Sequence, residues 1–216
     1  MVKLPSKSLE RNLIAAGHAC IIGVDEVGMG CLAGPVVVCA VLLRPKFFQH
    51  RRRRLEYLRD SKTLQAHQRE RYANELTAER YARHAIAVIH PKEVDRLNVY
   101  GAARVGMRRA IRRLGLKKAD RPFILIDGPG RIKDVPWEQL PVVKGDRKVF
   151  AIAAASVLAK VHRDSMMVNY AKRYPGYGLE AHKGYATRLH QRRLVELGPT
   201  PLHRRSFRLT YDQKST

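Results

Sequence analysis

The sequence has few cysteines, no long apolar run and no recognisable leader. Its three cysteines, Cys20, Cys31 and Cys39, lie in or beside apolar segments and form no Cys-x-x-Cys pair. This argues against a disulfide framework and against structural zinc, and it favours a reducing compartment. No segment approaches the length of a transmembrane helix, and residues 1–5 lack a signal-peptide core. We therefore expect a soluble, cytoplasmic protein that does not act on a membrane.

Acidic residues are also scarce. The 216 residues include 42 Lys and Arg but only 19 Asp and Glu, which gives a formal net charge of +23. A hydrophobic fraction of 45% nevertheless indicates a folded chain and excludes a disordered basic tail. Such an excess of positive charge is typical of nucleic-acid-binding proteins, although a basic surface that only aids solubility has the same composition.

The apolar pattern predicts a mixed α/β core with helices packed against it. β-branched and apolar runs predict strands over residues 20–27, 36–43, 84–90, 123–127 and 140–143. Longer segments predict helices over residues 9–16, 65–82, 92–114, 148–170 and 185–197. A basic tail with His203, Arg204 and Arg205 follows. The cluster Arg51–Arg54 lies in a connection, where a solvated loop and direct nucleic-acid contact are equally good interpretations.

Two adjacent carboxylates, Asp25 and Glu26, end the first predicted strand. Successive strand residues point to opposite faces, so one of them must reach a shared site from the strand end or through its backbone carbonyl. Asp127 ends another predicted strand, at the edge where open sheets place active sites. Converging carboxylates suit Mg²⁺ or Mn²⁺, and bound cations would allow these acids to face phosphate.

Two further acids flank the predicted helix over residues 148–170. Asp146 precedes this helix and is either a metal ligand or a cap for the helix. Asp164 lies toward the other end and is either a ligand or an ion-pair partner of Arg163. Spacing alone does not rank one acid above the other.

A glycine-rich turn follows the first acids, from Gly28 to Gly34. It does not match the dinucleotide-binding pattern G-x-G-x-x-G, because its third glycine comes one residue late and a strand follows instead of a helix. We therefore do not expect a nucleotide cofactor. Glycines do allow the backbone to approach a ligand closely, so the turn is a candidate contact to sugar or phosphate.

These segments together resemble bacterial ribonuclease HII over about residues 20–208. The motifs are Gly23–Gly28, Leu32–Val37, Asp60–Lys62, Leu125–Gly128, Val143–Asp146, Ala153–Val161, Tyr174–Gly178, His182–Tyr185 and Gly198–Pro201. The resemblance implies an α/β, ribonuclease H-like fold: a five-stranded mixed sheet flanked by helices, with a C-terminal helical extension. It implies a catalytic core over residues 1–170 and a substrate-binding extension over 171–216. The related ribonuclease HIII type carries a long N-terminal domain, for which this chain has no room.

The resemblance also implies an activity. The family's enzymes are endonucleases that hydrolyse RNA in RNA–DNA hybrids and cut 5′ of ribonucleotides embedded in duplex DNA. Such cleavage leaves 3′-hydroxyl and 5′-phosphate ends and serves ribonucleotide removal in DNA replication and repair. The family's four acids map onto Asp25, Glu26, Asp127 and Asp146, which favours Asp146 over Asp164. We expect these acids to hold two Mn²⁺ or Mg²⁺ ions in a monomer whose partners are hybrids and ribonucleotide-containing DNA.

The family's substrate contacts map onto two further segments. Tyr185 corresponds to the tyrosine that stacks at the RNA–DNA junction, where ordinary packing of an aromatic side chain is the alternative. Ser61 and Lys62 correspond to a phosphate-contacting segment, although Asp60 followed by Ser61 would by itself indicate a helix cap.

The turn Gly28-Met29-Gly30 corresponds to the segment that contacts the ribose 2′-hydroxyl, largely through its backbone. The family usually has arginine where this chain has Met29, and proline where it has Cys31. We therefore expect retained junction recognition with weaker phosphate anchoring. A non-enzymatic nucleic-acid-binding protein would explain the charge but not the acids, and another metal-dependent nuclease would share the acids but not prefer a ribonucleotide.

Overall fold

The computed structural model describes residues 4–49 and 52–207, and a five-stranded mixed sheet forms its centre. The strands are β1 (Cys20–Val27), β2 (Val36–Leu43), β3 (Ala82–Ile89), β4 (Pro122–Asp127) and β5 (Glu138–Val142). Their spatial order is β3-β2-β1-β4-β5. β2 is antiparallel to β1 and β3, while β4 is parallel to β1 and β5. The mixed five-stranded sheet predicted from the sequence is confirmed.

Helices surround this sheet in the part of the chain that is described. They are α1 (Ser8–Ala15), α2 (Pro45–Gln49), α3 (Ala66–Ala78), α4 (Pro91–Arg113), α5 (Phe150–Arg173), α6 (Leu179–His182) and α7 (Arg188–Leu197). Short 3₁₀ turns lie at Arg53–Leu55, Ser61–Thr63, Lys118–Asp120 and Gly145–Arg147. The sequence did not predict α2 and α6, because neither is long enough to establish a helical period. None of these described helices could cross a bilayer, since none is both long and apolar enough.

β1 and β2 are covered on both faces, which explains why their apolar residues run continuously instead of alternating. α5 packs on one face of the sheet and α4 on the other. Gly23 of β1 allows the close approach of α5, because a Cβ atom there would lie 2.1 Å from the backbone carbonyl of Ala151. This contact fixes the position of α5 relative to the carboxyl end of β1.

α4 is interrupted at Asn98, where the sequence predicts one continuous helix. Asn98 has φ 55°, and its Oδ1 accepts a hydrogen bond from the N–H of Gly101 at 2.9 Å. A positive φ is uncommon for a residue other than glycine, and here the Asn98 side chain caps the second part of the helix. The interruption therefore has a local chemical cause.

α5 joins the sheet to the C-terminal segment. Residue 170, where the sequence suggests a domain boundary, lies inside this helix. Met167 of α5 shares a small apolar cluster with Ala33 of the glycine-rich turn and with Leu179 and Leu202. The division into residues 1–170 and 171–216 stays a prediction, and residues 208–216 lie outside the described part.

Each of the two arginine-rich segments contains an arginine that packs against the fold, Arg52 in the first and Arg204 in the second, although their neighbours Arg54 and Arg205 are exposed. Arg52 pairs with Glu79 at 2.7 Å and Arg54 with Glu75 at 3.1 Å, so both tie their connection to the region of α3. Arg51 lies outside the described residues. The segment that the sequence presents as a basic tail is also packed, since Arg204 is only 3% exposed.

Candidate active site

A cleft of about 630 Å³ opens at the carboxyl ends of β1 and β4, and it gathers all the acids and substrate contacts that the family resemblance assigns. The four acids that line it are Asp25, Glu26, Asp127 and Asp146. The candidate substrate contacts that line it are Gly28, Met29, Gly30, Ser61, Lys62 and Tyr185. Four residues that sequence reasoning did not single out complete the lining, namely Val27, Arg69, Ser156 and Lys160.

Asp25 and Glu26 leave β1 on opposite faces, as their succession predicts, yet both reach the cleft. Asp25 lies on the α5 side, where the Ser156 hydroxyl hydrogen-bonds to its carboxylate. Glu26 lies near enough to Lys62 and to Arg104 of α4 for their charges to lower its pKa. Both side chains reach the same space because the strand ends immediately after them, at Val27.

The two carboxyl groups are hard to ionise together. Burial, followed by the charges of Glu26 and Asp127, raises the pKa of Asp25 well above its usual value. Burial and the charge of Asp127 raise the pKa of Glu26 to about 7. The Oε2 atom of Glu26 is buried and accepts no hydrogen bond from the described residues. A cation in the cleft would neutralise this repulsion and satisfy that oxygen.

Asp127 and Asp146 belong to neighbouring elements that are tied together. The N–H of Gly145 donates to Oδ1 of Asp127 at 2.7 Å, which joins the end of β4 to the Gly145–Arg147 turn. Asp146 is largely buried, and burial followed by the charges of Asp60 and Asp127 raises the pKa of its carboxyl group. The two acids therefore approach the cleft from one side of the sheet edge.

Asp146 does not cap α5, which was the alternative interpretation. The residue at the cap position is Val149, and it makes no side-chain cap. The buried carboxylate of Glu10 in α1 performs this task, because its Oε1 accepts a hydrogen bond from the N–H of Ala151 at 2.9 Å. The carboxylate of Asp146 is thus left for the cleft.

Asp164 lies outside this cleft and lines a neighbouring groove of about 670 Å³. Its carboxylate pairs with Lys160 at 2.8 Å and with Arg69 at 3.6 Å. The suggested pairing with Arg163 is wrong. Arg163 is fully buried and donates instead to the backbone carbonyls of Ala33, Pro35 and Lys183.

The Asp60–Lys62 segment supports the acids from beside α5. Asp60 caps the 3₁₀ turn, since its Oδ1 accepts from the N–H of Lys62 at 3.0 Å, and this confirms the helix-cap interpretation. Ser61 is buried, and its hydroxyl lies 3.0 Å from that of Ser156. Ser61 is therefore linked through Ser156 to Asp25. Ser156 was missed because a lone serine in an alanine-rich helix carries no chemical signal in the sequence.

The glycine-rich turn presents one open and one closed surface. Gly28 has φ +91°, and a Cβ atom there would lie 2.3 Å from Nε of Arg163. Gly30 is exposed, and a Cβ atom there would meet no other atom within 4 Å. Met29 lines the cleft and also packs against the apolar cluster on the α4 side. The surface of the turn at Gly28 is therefore closed by packing against Arg163, whereas the surface at Gly30 is open.

Tyr185 faces this turn and contacts it directly. Its backbone forms an isolated antiparallel bridge with Cys31, and its hydroxyl hydrogen-bonds to the Cys31 thiol. The ammonium of Lys160 lies 5.4 Å from the ring centroid. The cysteine that replaces the family's usual proline therefore helps to hold the candidate stacking residue.

Three histidines lie behind Tyr185, of which His190 and His203 are buried and His182 is half-buried. The N–H of Thr200 donates to Nδ1 of His203 at 3.0 Å, so His203 donates from Nε2 to Nε2 of His190, 3.2 Å away. His190 then donates from Nδ1 to the carbonyl of Tyr185 at 2.9 Å. His182 stacks on His190 with ring centroids 4.3 Å apart. Burial lowers the pKa of all three imidazoles, and that of His203 to about 4.

The chain matches the sequence model of the family described as Ribonuclease HII over residues 22–210. It belongs to this family. Ribonuclease HII of Chlorobium phaeobacteroides is 45% identical over 190 residues, which cover 88% of this chain and 90% of that protein. Ribonuclease HII of Cereibacter sphaeroides is 43% identical over 208 residues, which cover 96% and 92%.

Solved structures agree on the fold. Ribonuclease H2 from Pyrococcus horikoshii OT3 matches with a TM-score of 0.72 and 24% identity, covering 88% of this chain and 94% of that one. Bst-RNase HIII in complex with Mn²⁺ matches with a TM-score of 0.70 and 21% identity, covering 90% and 68%. The ribonuclease H-like fold inferred from the motifs is therefore confirmed.

Family membership makes this chain an enzyme, a ribonuclease H-type endonuclease that acts on RNA–DNA hybrids and depends on a divalent metal ion. The donor set in the cleft consists of carboxylates, which hard cations prefer. No cluster of three or more His, Cys, Asp or Glu side chains within the described ranges is already converged as a closed metal cage. Mg²⁺ commonly keeps several waters beside one or two carboxylates, so an open set with the unsatisfied Glu26 oxygen fits such an ion.

Proposed function

We propose that this enzyme cuts on the 5′ side of single ribonucleotides embedded in duplex DNA, in addition to RNA within hybrids. The observation that carries the proposal is the shared cleft. The four acids, the open surface of the Gly28-Met29-Gly30 turn and Tyr185 all line one cavity. Hydrolysis and recognition of a ribose can therefore take place on adjacent parts of one bound strand.

Asp25, Glu26, Asp127 and Asp146 would hold two divalent ions, either Mg²⁺ or Mn²⁺. When bound, such ions activate an attacking water and stabilise the departing oxygen of a phosphodiester. The side chains of Lys62, Arg69 and Lys160 add positive charge to the cleft lining and attract the phosphate backbone. The backbone turn and the basic side chains thus orient the strand, while the acids define where it is hydrolysed.

The geometry of the cleft supports the remaining proposed substrate contacts. Gly30 leaves room for close approach of a ribose, so its backbone can meet the 2′-hydroxyl, the group that distinguishes RNA from DNA. Tyr185 would stack at the junction, supported by Cys31 and His190. Lys62 would contact phosphate, and buried Ser61 would contribute by fixing the segment and, through Ser156, the carboxylate of Asp25.

The proposal extends to the setting of the reaction. We expect a cytoplasmic monomer that serves ribonucleotide removal during DNA replication and repair. The core over residues 1–170 would supply the acids, and the extension over residues 171–216 would supply Tyr185 and part of the duplex-binding surface.

The test is cleavage of a labelled DNA duplex with one ribonucleotide, in Mg²⁺, Mn²⁺ or EDTA, beside an all-DNA duplex. A single metal-dependent nick 5′ of the ribonucleotide is expected, with 3′-hydroxyl and 5′-phosphate ends and no cut in the all-DNA control. Asp127→Asn serves as the inactive control. Cleavage of long hybrids without cleavage at a single ribonucleotide would refute the junction proposal, and equal cleavage of all-DNA would indicate a different nuclease.

A further inference from the structure

The closed surface of the glycine-rich turn is occupied by a buried arginine from the far end of the chain. Arg204 donates from Nη2 to the carbonyl of Gly28 at 2.6 Å and from Nη1 to that of Met29 at 2.9 Å. Its Nε and Nη2 also donate to the carbonyl of Gly34, at 3.0 Å and 2.9 Å. One guanidinium therefore spans the turn from its beginning to its end.

The charge of Arg204 is held by peptide carbonyls. Burial lowers the pKa of its guanidinium to about 10, so the side chain remains charged at neutral pH. A guanidinium is planar and presents its five N–H donors in a fixed fork. The positions of the carbonyls that it binds are therefore specified much more narrowly than a single ammonium could specify them.

These bonds decide which way the N–H groups of the turn point. In a trans peptide the carbonyl of one residue and the N–H of the next point in opposite directions. Since the carbonyls of Gly28 and Met29 point at Arg204, the N–H groups of Met29 and Gly30 point away from it. Within the described part of the chain, neither of these two N–H groups has a hydrogen-bond partner.

Arg204 is itself held in place by α4. The carboxylate of Asp95 accepts hydrogen bonds from the N–H of Arg205 and the N–H of Ser206, each at 3.0 Å. The Ser206 hydroxyl also donates to Asp95, at 2.6 Å. The backbone directly after Arg204 is thus fixed to a helix that packs on the sheet.

We infer that Arg204 is the positioning residue for ribonucleotide recognition: it aims the N–H groups of Met29 and Gly30 into the cleft, where they bind the ribose 2′-hydroxyl. This inference rests on the proposed reading of a single ribonucleotide. Arg204 is 175 positions away from Met29 in the sequence, yet it would determine the turn geometry on which recognition of the ribonucleotide depends. Arg204 contacts no reacting atom, so it acts through the turn alone.

The test compares binding of two duplexes, one with a single ribonucleotide and one all-DNA, by fluorescence anisotropy in Mg²⁺. All proteins carry Asp127→Asn, so that binding is measured without cleavage. Arg204→Lys keeps the charge but loses the fork. We expect the preference for the ribonucleotide duplex to fall about tenfold, as for the loss of one or two well-aligned hydrogen bonds, while affinity for all-DNA stays unchanged.

Two further variants make the result specific. Asp95→Asn loosens the segment after Arg204 without touching the turn, and we expect a smaller loss of preference, about twofold to threefold. Arg83→Lys is the matched control, because Arg83 also donates to a backbone carbonyl, that of Leu114, but lies away from the cleft. This control should leave the preference unchanged.

Several outcomes would overturn the inference. Full preference in Arg204→Lys, with a native melting temperature, would show that the turn needs no guanidinium. Equal loss of affinity for both duplexes would indicate a merely structural role. If Arg204→Lys does not fold, unchanged preference in folded Asp95→Asn would have the same meaning. Absence of any preference in the parent protein would instead refute the proposed function, and the inference with it.

Discussion

The two ends of β1 contribute to stability in opposite ways. Cys20, Ile21 and Ile22 are fully buried apolar side chains in a layer covered by helices on both faces. A few residues later, Asp25 is buried and Glu26 half-buried, and both are acids. Burial and neighbouring carboxylates make both harder to ionise, and one Glu26 oxygen is left without a hydrogen bond from the described residues. The apolar part of the strand thus stabilises the fold. The acids at its end destabilise the metal-free protein, because neighbouring carboxylates repel one another there until a cation binds.

The largest expected effect comes from removing a cleft charge. Asp25→Asn should reduce cleavage by about 10³-fold or more, because it removes one of the acids that we propose hold the catalytic cation. The same change should raise the melting temperature of the metal-free protein by about 2–4 °C, since a buried like-charge contact disappears. Steady-state cleavage and thermal unfolding in EDTA measure the two effects. Lower stability together with near-normal turnover would contradict the contrast between strand interior and strand end.

The interior of β1 should respond in the opposite way. Gly23→Ala places a Cβ atom 2.1 Å from the backbone of Ala151, which cannot move as a flexible side chain would. We expect destabilisation of about 3 kcal/mol, seen as a lower melting temperature. Gly30→Ala is the matched control, because its Cβ would meet nothing within 4 Å. It should leave stability unchanged but weaken binding of a ribonucleotide duplex, and a stability loss equal to that of Gly23→Ala would argue against the packing explanation.

The same two regions differ in how much of them the sequence predicts. β1 and β2 follow from continuous apolar runs, and Asp25, Glu26 and Asp127 follow from their positions at strand ends. Asp146 follows only from the family resemblance, because spacing does not rank it above Asp164. The side chains that support the acids and the glycine-rich turn cannot be predicted in this way, because their partners are remote in the sequence. Ser61 and Ser156 are 95 positions apart, and Arg204 and Gly28 are 176 apart. The sequence also places Asp164 beside Arg163, but burial of Arg163 against backbone carbonyls leaves Asp164 to Lys160 and Arg69. The local sequence pattern thus predicts the strands and the acids at their ends. The partners of the supporting side chains depend on tertiary packing, which the pattern does not show.

The histidines behind Tyr185 should make the protein sensitive to acid. Because the pKa of His203 is lowered from 6.5 to about 4, the unfolded chain takes up protons before the folded chain does. Stability is therefore fully present above about pH 6.5 and falls as the pH decreases toward 4, by about 2 kcal/mol at pH 5 from this residue. Melting temperatures from pH 7.5 to 4.5 measure the loss. His203→Gln should flatten this part of the profile, and an unchanged slope would exclude His203 as its source.

Glu26 should contribute with the opposite sign in the metal-free protein. Its pKa is raised from 4.5 to about 7, so the folded state binds more protons than the unfolded state between these values. Its contribution is present below about pH 4.5 and is lost as the pH rises through 7, by about 1–2 kcal/mol after allowance for relaxation. Glu26→Gln should remove this loss in EDTA, and added Mg²⁺ or Mn²⁺ should stabilise only the parent protein. A metal response that persists unchanged in Glu26→Gln would place the cation elsewhere.

The smallest effect is expected at Met29, where the chain departs from its family's usual arginine. Met29 lines the cleft while its side chain packs partly against the α4-side cluster, so a longer side chain can keep that packing and extend its charged end toward phosphate. Met29→Arg should tighten substrate binding a few-fold and steepen its salt dependence by about one unit of log–log slope. Met29→Leu controls for the change of side chain and should leave both quantities unchanged. If neither affinity nor salt slope changes in Met29→Arg, the excess arginine elsewhere already supplies the phosphate contact, and the altered turn has no cost in binding.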